Sequence, residues 1–315
     1  MAVTLEEAKV GMADKVDQQV IDTLRRNSAV LDAMTFDDAV SPGTGGSTLT
    51  YGYVQLKTPA TAAGRKINEE YTPQEAKREK KTTDLVVMGG SYEIDRVIAQ
   101  TSGAVNEVAF QTEQKTIATV SRFQHLLING DASIDTEFNG LAKLAEGTDS
   151  EIDASDVDLT MVDETSAGAL VEALDEAMAH MLRKPDMILA NSKTISKLKS
   201  AARILGYKTS SEDAFGRTAD GYDGVRFVDL GQYFDGSSTK DIIPVTGGTS
   251  NIYLVNFGLD ALHGVTPKGD KIISVHTPDF TEAKAVHKGD VEFVAGVALK
   301  NSRALAVLKG VKVTA

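Results

Sequence analysis

The stretch that most constrains this chain runs from about Gly103 to Ile128 and closes on Asn129-Gly130-Asp131. Between Ala104 and Ile128 there is neither Gly nor Pro. Val105, Ala109, Thr112, Thr116, Val120, Phe123 and Leu127 recur at three- and four-residue steps, the spacing of one helical face. Phe110 and Ile117 widen the apolar stripe, and Glu107, Glu113, Gln114, Lys115 and Arg122 fill the remainder. At about 1.5 Å per residue such a helix is roughly 40 Å long, well beyond the ordinary globular helix of about 11–12 residues. A helix of that length is a strut. Segments before it read as arms, and segments after it read as a packed domain.

The arms begin early. Thr4 and Glu7 form the capping-box pattern, and Ala8, Met12, Val16, Val20 and Leu24 follow at four-residue steps. Their stripe is narrow, so this helix lies either on its own domain or across a neighbouring subunit. Ser41-Pro42-Gly43-Thr44-Gly45-Gly46 then breaks the chain. No Gly-Lys-Ser/Thr follows this loop and no strand–loop–helix context surrounds it, so a phosphate cradle is not indicated.

From Ser47 to Lys57 the residues alternate, with Leu49, Tyr51 and Tyr53 on one side and Thr48, Thr50 and Gly52 on the other, which predicts a strand. A second strand is expected over about Thr82 to Met88, ending at Gly89-Gly90. Between them, Thr58 to Lys81 is polar and contains Pro59, Gly64 and Pro73. Compact domains rarely carry so long a structureless insertion. Arg65, Lys66, Lys77, Arg78, Lys80 and Lys81 outnumber Glu69, Glu70, Glu75 and Glu79 there, a local excess of +2 in a chain of 315 residues with a net charge of −12. Two readings stand: a solvated loop, or a long hairpin arm whose basic tip rests on an acidic neighbour. The second makes those six cations candidates for contact between subunits.

After the strut, Phe138-Asn139-Gly140-Leu141 opens a new segment. Asp149 to Glu164 holds seven acids and no Lys or Arg. It lacks the spacing of a calcium loop and reads as a solvated linker ending in helix-capping acids. A helix over Ala167–Arg183 halts before Pro185. A buried strand Met187–Ala190 follows, then a helix capped by Asn191 or Ser192. That order marks a compact α/β unit, to which strands at 225–228 and 251–255 add. Residues 206–221 read as loop, and 271–313 read as β-rich, with Val291, Phe293, Ala295, Val297 and Leu299 alternating.

Composition narrows the function. A net charge of −12 and a pI near 4.9 argue against a chain that wraps nucleic acid through clustered cations. With no cysteine there is no disulfide, thiol catalysis or Cys-ligated metal. No apolar run is long enough to span a membrane, and without a cationic start followed by an apolar block no secretory signal is expected. The histidines at 125, 180, 263, 276 and 287 lack metal-ligand spacing. His125 reads as a packed or capping residue. No P-loop, dinucleotide fingerprint or nucleophile elbow occurs, so nothing positive argues for an enzyme or a cofactor.

The order of these parts resembles the major capsid proteins of tailed phages, the Hong Kong 97 fold shared with encapsulins. It runs from an arm helix through a long hairpin to a spine helix ending in Asn129-Gly130-Asp131, with Gly140-Leu141 beyond. An α/β unit with Ala190-Asn191, Thr194, Leu198 and Lys199 follows, then a β return ending Arg303-Ala304-Leu305-Ala306-Val307-Leu308-Lys309-Gly310-Val311. The resemblance spans essentially the whole chain, and the order carries it more than any one motif. It implies an α+β fold with an N-terminal arm at 1–46 and an extended loop at 47–95. A peripheral domain with the spine helix takes 96–160, an axial domain 161–265 and peripheral return strands 266–315.

It further implies an icosahedral shell of hexamers and pentamers enclosing double-stranded DNA, assembled in a host bacterial cytoplasm and resident in the virion. A portal and a possible decoration protein would be its partners, with DNA packaged without sequence-specific binding and no membrane involved. An acidic inner wall that repels phosphate suits such a container.

Two family features are expected to be missing. The capping box at Thr4 leaves no room for a cleaved scaffolding region, which implies a separate scaffolding protein. The Asn and Glu of the family's covalent cross-link fall near His287 and Val294 when counted back from Lys309-Gly310, so no cross-link is expected. Rival readings are an encapsulin holding cargo enzymes and an α/β enzyme with a disordered hairpin.

Overall fold

The computed structural model describes residues 28–38, 40, 49–101, 107–206, 210–212, 218–267 and 272–314. The expected helix after Thr4, the glycine-rich stretch at 41–46 and the Gly103–Val105 start of the strut lie outside these residues. Ser28 caps a short helix, α1 (Ala29–Ala33), by accepting from the Leu31 amide at 3.1 Å. Strand β1 (Phe36–Asp37) follows, then β2 (Thr50–Thr58), β3 (Lys77–Asp84) and β4 (Val86–Asp95).

Strand β2 pairs with β3, Thr50 opposite Asp84 through Thr58 opposite Lys77. The second arm of the hairpin is therefore 77–84 rather than the expected 82–88. Of the apolar run, Val86-Val87-Met88 belongs instead to β4, which continues through Gly89-Gly90 and pairs along Val286–Ala295. The physical reason is burial. Val86, Met88, Tyr92 and Ile94 face the core, which a freestanding hairpin could not offer them.

Helix α2 (Arg96–Thr101) leads to the strut, α3 (Glu107–Asn129). Its first half packs small: Thr112, Thr116 and Thr119 are buried, each hydroxyl donating to the carbonyl four residues back at 2.7–2.8 Å, so polar atoms enter the core satisfied. Tyr92 and Thr112 share a further hydroxyl–hydroxyl bond of 2.7 Å. The second half packs large. Phe123 is fully buried, with the rings of Phe293, Phe138 and Phe36 at 5.2, 6.0 and 6.3 Å. Contrary to the expected stripe, Phe110 is exposed and Ile117 only half-buried; both stand beside the main buried row.

The turn after α3 depends on close approach. Asn129 Nδ2 donates to the Ile242 carbonyl at 2.7 Å, and Gly140 N to the Gly130 carbonyl at 2.9 Å. A Cβ on Gly130 would stand 2.3 Å from the Phe138 oxygen, and one on Gly140 2.6 Å from the Leu126 oxygen. Only glycine fits either position.

Helix α4 (Leu141–Ala145) and strand β5 (Glu151–Asp153) come next. The acidic stretch is thus more than a linker: β5 pairs with a distant strand, and Leu159 is fully buried. Asp163 caps α5 (Glu164–His180) in a reciprocal box with Ser166. This helix ends at His180, earlier than the expected Arg183, because Met181 is already extended. Strand β6 (Met187–Leu189) is wholly buried, and Asn191 caps α6 (Ser192–Ile204).

The expected loop at 206–221 contains β7 (Ser210–Glu212) and β8 (Thr218–Tyr222), which pair with each other. Strands β9 (Val225–Val228), β10 (Gln232–Phe234), β11 (Thr239–Asp241), β12 (Thr249–Val255), β13 (Leu262–Val265), β14 (Ile273–His276), β15 (Val286–Leu299) and β16 (Leu305–Lys312) complete the chain.

Two larger sheets result. One joins β1, β13, β15 and β14, with β4 also on β15; the other runs β5-β16-β12-β6-β9-β8-β7. They cut the chain differently from the expected segments. Strand β13, expected with the axial segment, lies in the first sheet, and β16, expected with the return strands, lies in the second. Alternation explains the central role of β16. Leu305 and Val307 face the cluster around Phe123, while Ala306 and Leu308 face the cluster under α5 and α6. Strands β6 and β12 divide their residues the same way, so this sheet is buried on both faces.

Candidate functional site: the extended hairpin and its neighbouring surfaces

The hairpin β2–β3 is anchored at its root and free at its tip. At the root, Tyr51, Tyr53 and Gln55 alternate inward on β2. Tyr51 donates its hydroxyl to Asp37 Oδ2 at 3.0 Å, Thr83 Oγ1 donates to the Val297 carbonyl at 2.9 Å, and Gln55 Nε2 to the Leu299 carbonyl at 3.4 Å. Tyr51 and Tyr53 join Val40, Leu85, Val265 and Ala298 in a small cluster of their own. Lys300 Nζ lies 5.7 Å from the Tyr51 ring centre.

Beyond the root, every residue from Leu56 to Lys80 is exposed. Ile67 at 89% and Tyr71 at 61% are bare apolar groups on this arm. Among the described residues the tip makes local contacts: Arg65 donates to the Lys66 and Glu69 carbonyls and lies over the Tyr71 ring.

The six candidate cations fall into separate groups. Arg78 pairs with Leu56 and Lys80 with Val54 across the ladder. Paired residues share a face, so two cations and two exposed aliphatics, each 59% exposed, form one amphipathic surface. Arg65 and Lys66 sit at the tip, away from that surface. Lys77 pairs with Thr58 past a register shift. Lys81 pairs with Tyr53 on the opposite, inward face and is half-buried, so it belongs to the root. Sequence reasoning missed Val54 and Leu56, although the alternation that turns Tyr51 and Tyr53 inward turns both outward. Glu79 offsets part of the local charge by pairing with Lys57 at 3.6 Å.

A second surface lies between α3 and the small hairpin β10–β11. A cleft of about 640 Å³ is lined there by Ile117, Ala118, Arg122, Tyr233, Phe234 and Asp235, among others. Phe234 is 67% exposed. His125 packs against Tyr233 with ring centres 4.2 Å apart and planes tilted by 44°. Burial, then the Arg122 charge, hold its imidazole below the usual histidine range, with Glu137 opposing. Arg122 itself bonds Glu137 at 2.8 Å. His125 is a packed residue, as its sequence setting indicated.

A smaller pocket of about 260 Å³ joins the end of α3 to β16, lined by Asp131, Lys143, Glu146, Glu151 and Lys309, among others. Lys309 bonds Glu151, and that bond, seconded by the Gly147 amide, lowers the Glu151 carboxyl from its ordinary value. Lys143 bridges Glu146 at 2.9 Å and Asp131 at 3.8 Å. The first pair joins β16 to β5 within the second sheet, and Lys143 joins α4 to the turn after α3. Among the described residues no group of three His, Asp or Glu is placed to hold a metal ion, and no helix is long and apolar enough to cross a membrane.

No protein-family model matches the chain, and no curated protein matches it. Solved structures do. The chain is similar to a subunit of the holo-SrpI encapsulin complex from Synechococcus elongatus PCC 7942, at TM-score 0.63 and 17% identity over 91% of this chain and 88% of that one. The capsid of the native GTA particle superposes at TM-score 0.59 and 14% identity, covering 92% and 91%. The capsid of Myoviridae phage XM1 does so at 0.53 and 13%, covering 89% and 90%. At such identities the likeness speaks to fold, and it covers nearly the whole of each chain. The chain has the α+β Hong Kong 97-type fold shared by phage capsids and encapsulins.

Proposed function

We propose that this chain is the major capsid protein of a tailed bacteriophage, a non-enzymatic subunit that assembles into a closed icosahedral shell around double-stranded DNA. The observation that carries the reading is the extended hairpin. From Leu56 to Lys80 every residue of the arm is exposed, yet the arm bears Val54, Leu56, Ile67 and Tyr71 beside Arg65, Lys66, Arg78 and Lys80. Groups of that kind are buried by a second subunit, and closed symmetric assemblies supply one at every position. Each arm would bury on the order of 1,000 Å², the scale of a specific interface. The net charge of −12 gives a basic arm acidic surface to meet on its neighbours.

In this reading α3 with the first sheet forms a peripheral region, and the second sheet with α5 and α6 forms the axial region that meets its copies in hexamers and pentamers. A separate scaffolding protein and a portal are the expected partners, with a decoration protein as an addition. Assembly would take place in the host cytoplasm. The likeness to the SrpI encapsulin favours a second reading, a cellular shell that encloses cargo proteins.

Negative-stain electron microscopy of the purified protein, expressed alone and with its neighbouring genes, tests the proposal. Closed shells or capsomer rings support it, and only small compact particles under both conditions refute it. Shells that copurify with an enclosed enzyme rather than DNA identify the encapsulin reading.

A further inference from the structure

The root of the extended hairpin rests on a buried histidine whose ring closes no hydrogen bond among the described residues. His263 on β13 is fully buried and meets Tyr51 edge-on at 5.8 Å. Among the described residues, neither ring nitrogen has a hydrogen-bond partner. Its position in the strand accounts for this. Leu262 packs into the main cluster, while Val265 and the cross-strand partner Ala298 face the small cluster that carries Tyr51, Tyr53 and Leu85. Alternation thus sends one imidazole into the apolar patch on which the hairpin sits. An unpartnered polar group in such a place is costly, and a charged one far more so.

We propose that His263 is an acid-sensitive latch: with the ring neutral the hairpin root stays docked on β13, and protonation of the ring releases it. The charged and titratable groups facing the ring are few. Asp37 on β1 and Asp260 before β13 favour the cation, as does the Ala261 carbonyl, which faces the ring without closing a hydrogen bond. Lys300 opposes it, and the Tyr51 hydroxyl is engaged with Asp37. Burial outweighs them all and lowers the imidazole from its ordinary value.

A group whose docked pKa lies below its undocked value takes its proton preferentially in the undocked state. Docking is therefore at full strength above the ordinary histidine range. As pH falls through about 6.5, the docked-to-undocked ratio drops by up to about tenfold per unit, until the docked pKa is reached. The latch is a property of the subunit and stands whether or not shells form.

Hydrogen–deuterium exchange of the full chain at pH 7.5 and pH 5.0, corrected for intrinsic exchange, tests it. Amides of 51–55 and 81–85 should open at least about fivefold more at pH 5.0, with the second half of α3 unchanged. His263→Phe should abolish the increase, and His125→Phe should leave it. An increase that survives His263→Phe, or no selective increase in the wild type, overturns the proposal. Should His263→Phe fail to fold, NMR titration of the wild-type imidazole decides: a midpoint below the ordinary histidine value supports the latch, and one at or above it overturns it.

Discussion

Replacing residues 59–76 with a two-residue Asn-Gly turn separates what the arm does for the subunit from what it does for an assembly. The excised segment has eighteen residues, all exposed. Among the described residues its side-chain contacts are those of Arg65 with Lys66, Glu69 and Tyr71, and they leave together with the segment. Shortening the connection removes about three doublings of loop length, each costing about 0.6 kcal/mol of closure entropy. The isolated subunit should therefore gain about 2 kcal/mol, read as a Tm higher by a few degrees, while the interface on the order of 1,000 Å² per arm is lost. Circular dichroism melts of dissociated subunits and sedimentation velocity under assembly conditions give the two readouts. Shells formed at wild-type yield would refute the role of the arm. A Tm lower by more than about 5 °C would mean that the segment belongs to the subunit's own core.

Arg78→Glu with Lys80→Glu reverses charge on an exposed ladder face, so subunit stability should move by less than about 0.5 kcal/mol while assembly yield collapses, both visible by melting and sedimentation. Phe123→Ala empties the site between Phe36, Phe138 and Phe293 and should cost about 3–5 kcal/mol, measured as a lower denaturant midpoint at constant slope. Gly140→Ala drives a methyl to within 2.6 Å of the Leu126 oxygen and should cost about 1–3 kcal/mol, checked by thermal unfolding. Counted back from Lys309-Gly310, the Asn and Glu of the cross-link that some capsid proteins form are expected to fall near His287 and Val294, so boiled, denatured particles should run as a single monomer band; a covalent ladder would contradict this.

Much of the architecture was legible because periodicity reports burial directly. The row Thr112, Thr116, Val120, Phe123 and Leu127 is buried as its spacing demanded, and Asn191 caps its helix as its position implied. What escaped the sequence depends on pairing partners far along the chain. Leu85-Val86-Val87-Met88 reads as the second arm of a hairpin until β15, some two hundred residues later, is known to lie beside it. Strand β16 looks like a continuation of β15, yet a short 3₁₀ turn at Ser302–Ala304 carries it into the other sheet. The basic arm was visible as a charge excess. Its division into an outward face, a tip and an inward Lys81 was not, because cross-strand register is no property of one strand alone.

The lateness of β15 and β16 also bears on when a subunit becomes competent. Strand β15 holds β4, β13 and β14 together, and β16 joins β5 to β12, so neither sheet closes until residues 286–312 have been synthesised. At about 5–20 residues per second a nascent chain spends many seconds with β4 and β12 as open edges, and pairings this distant in sequence form slowly afterwards. A half-made subunit has its arm but no platform to hold it. Under the proposed function only finished chains could join a shell, and until closure the unpaired edges of β4 and β12 stay open to wrong partners.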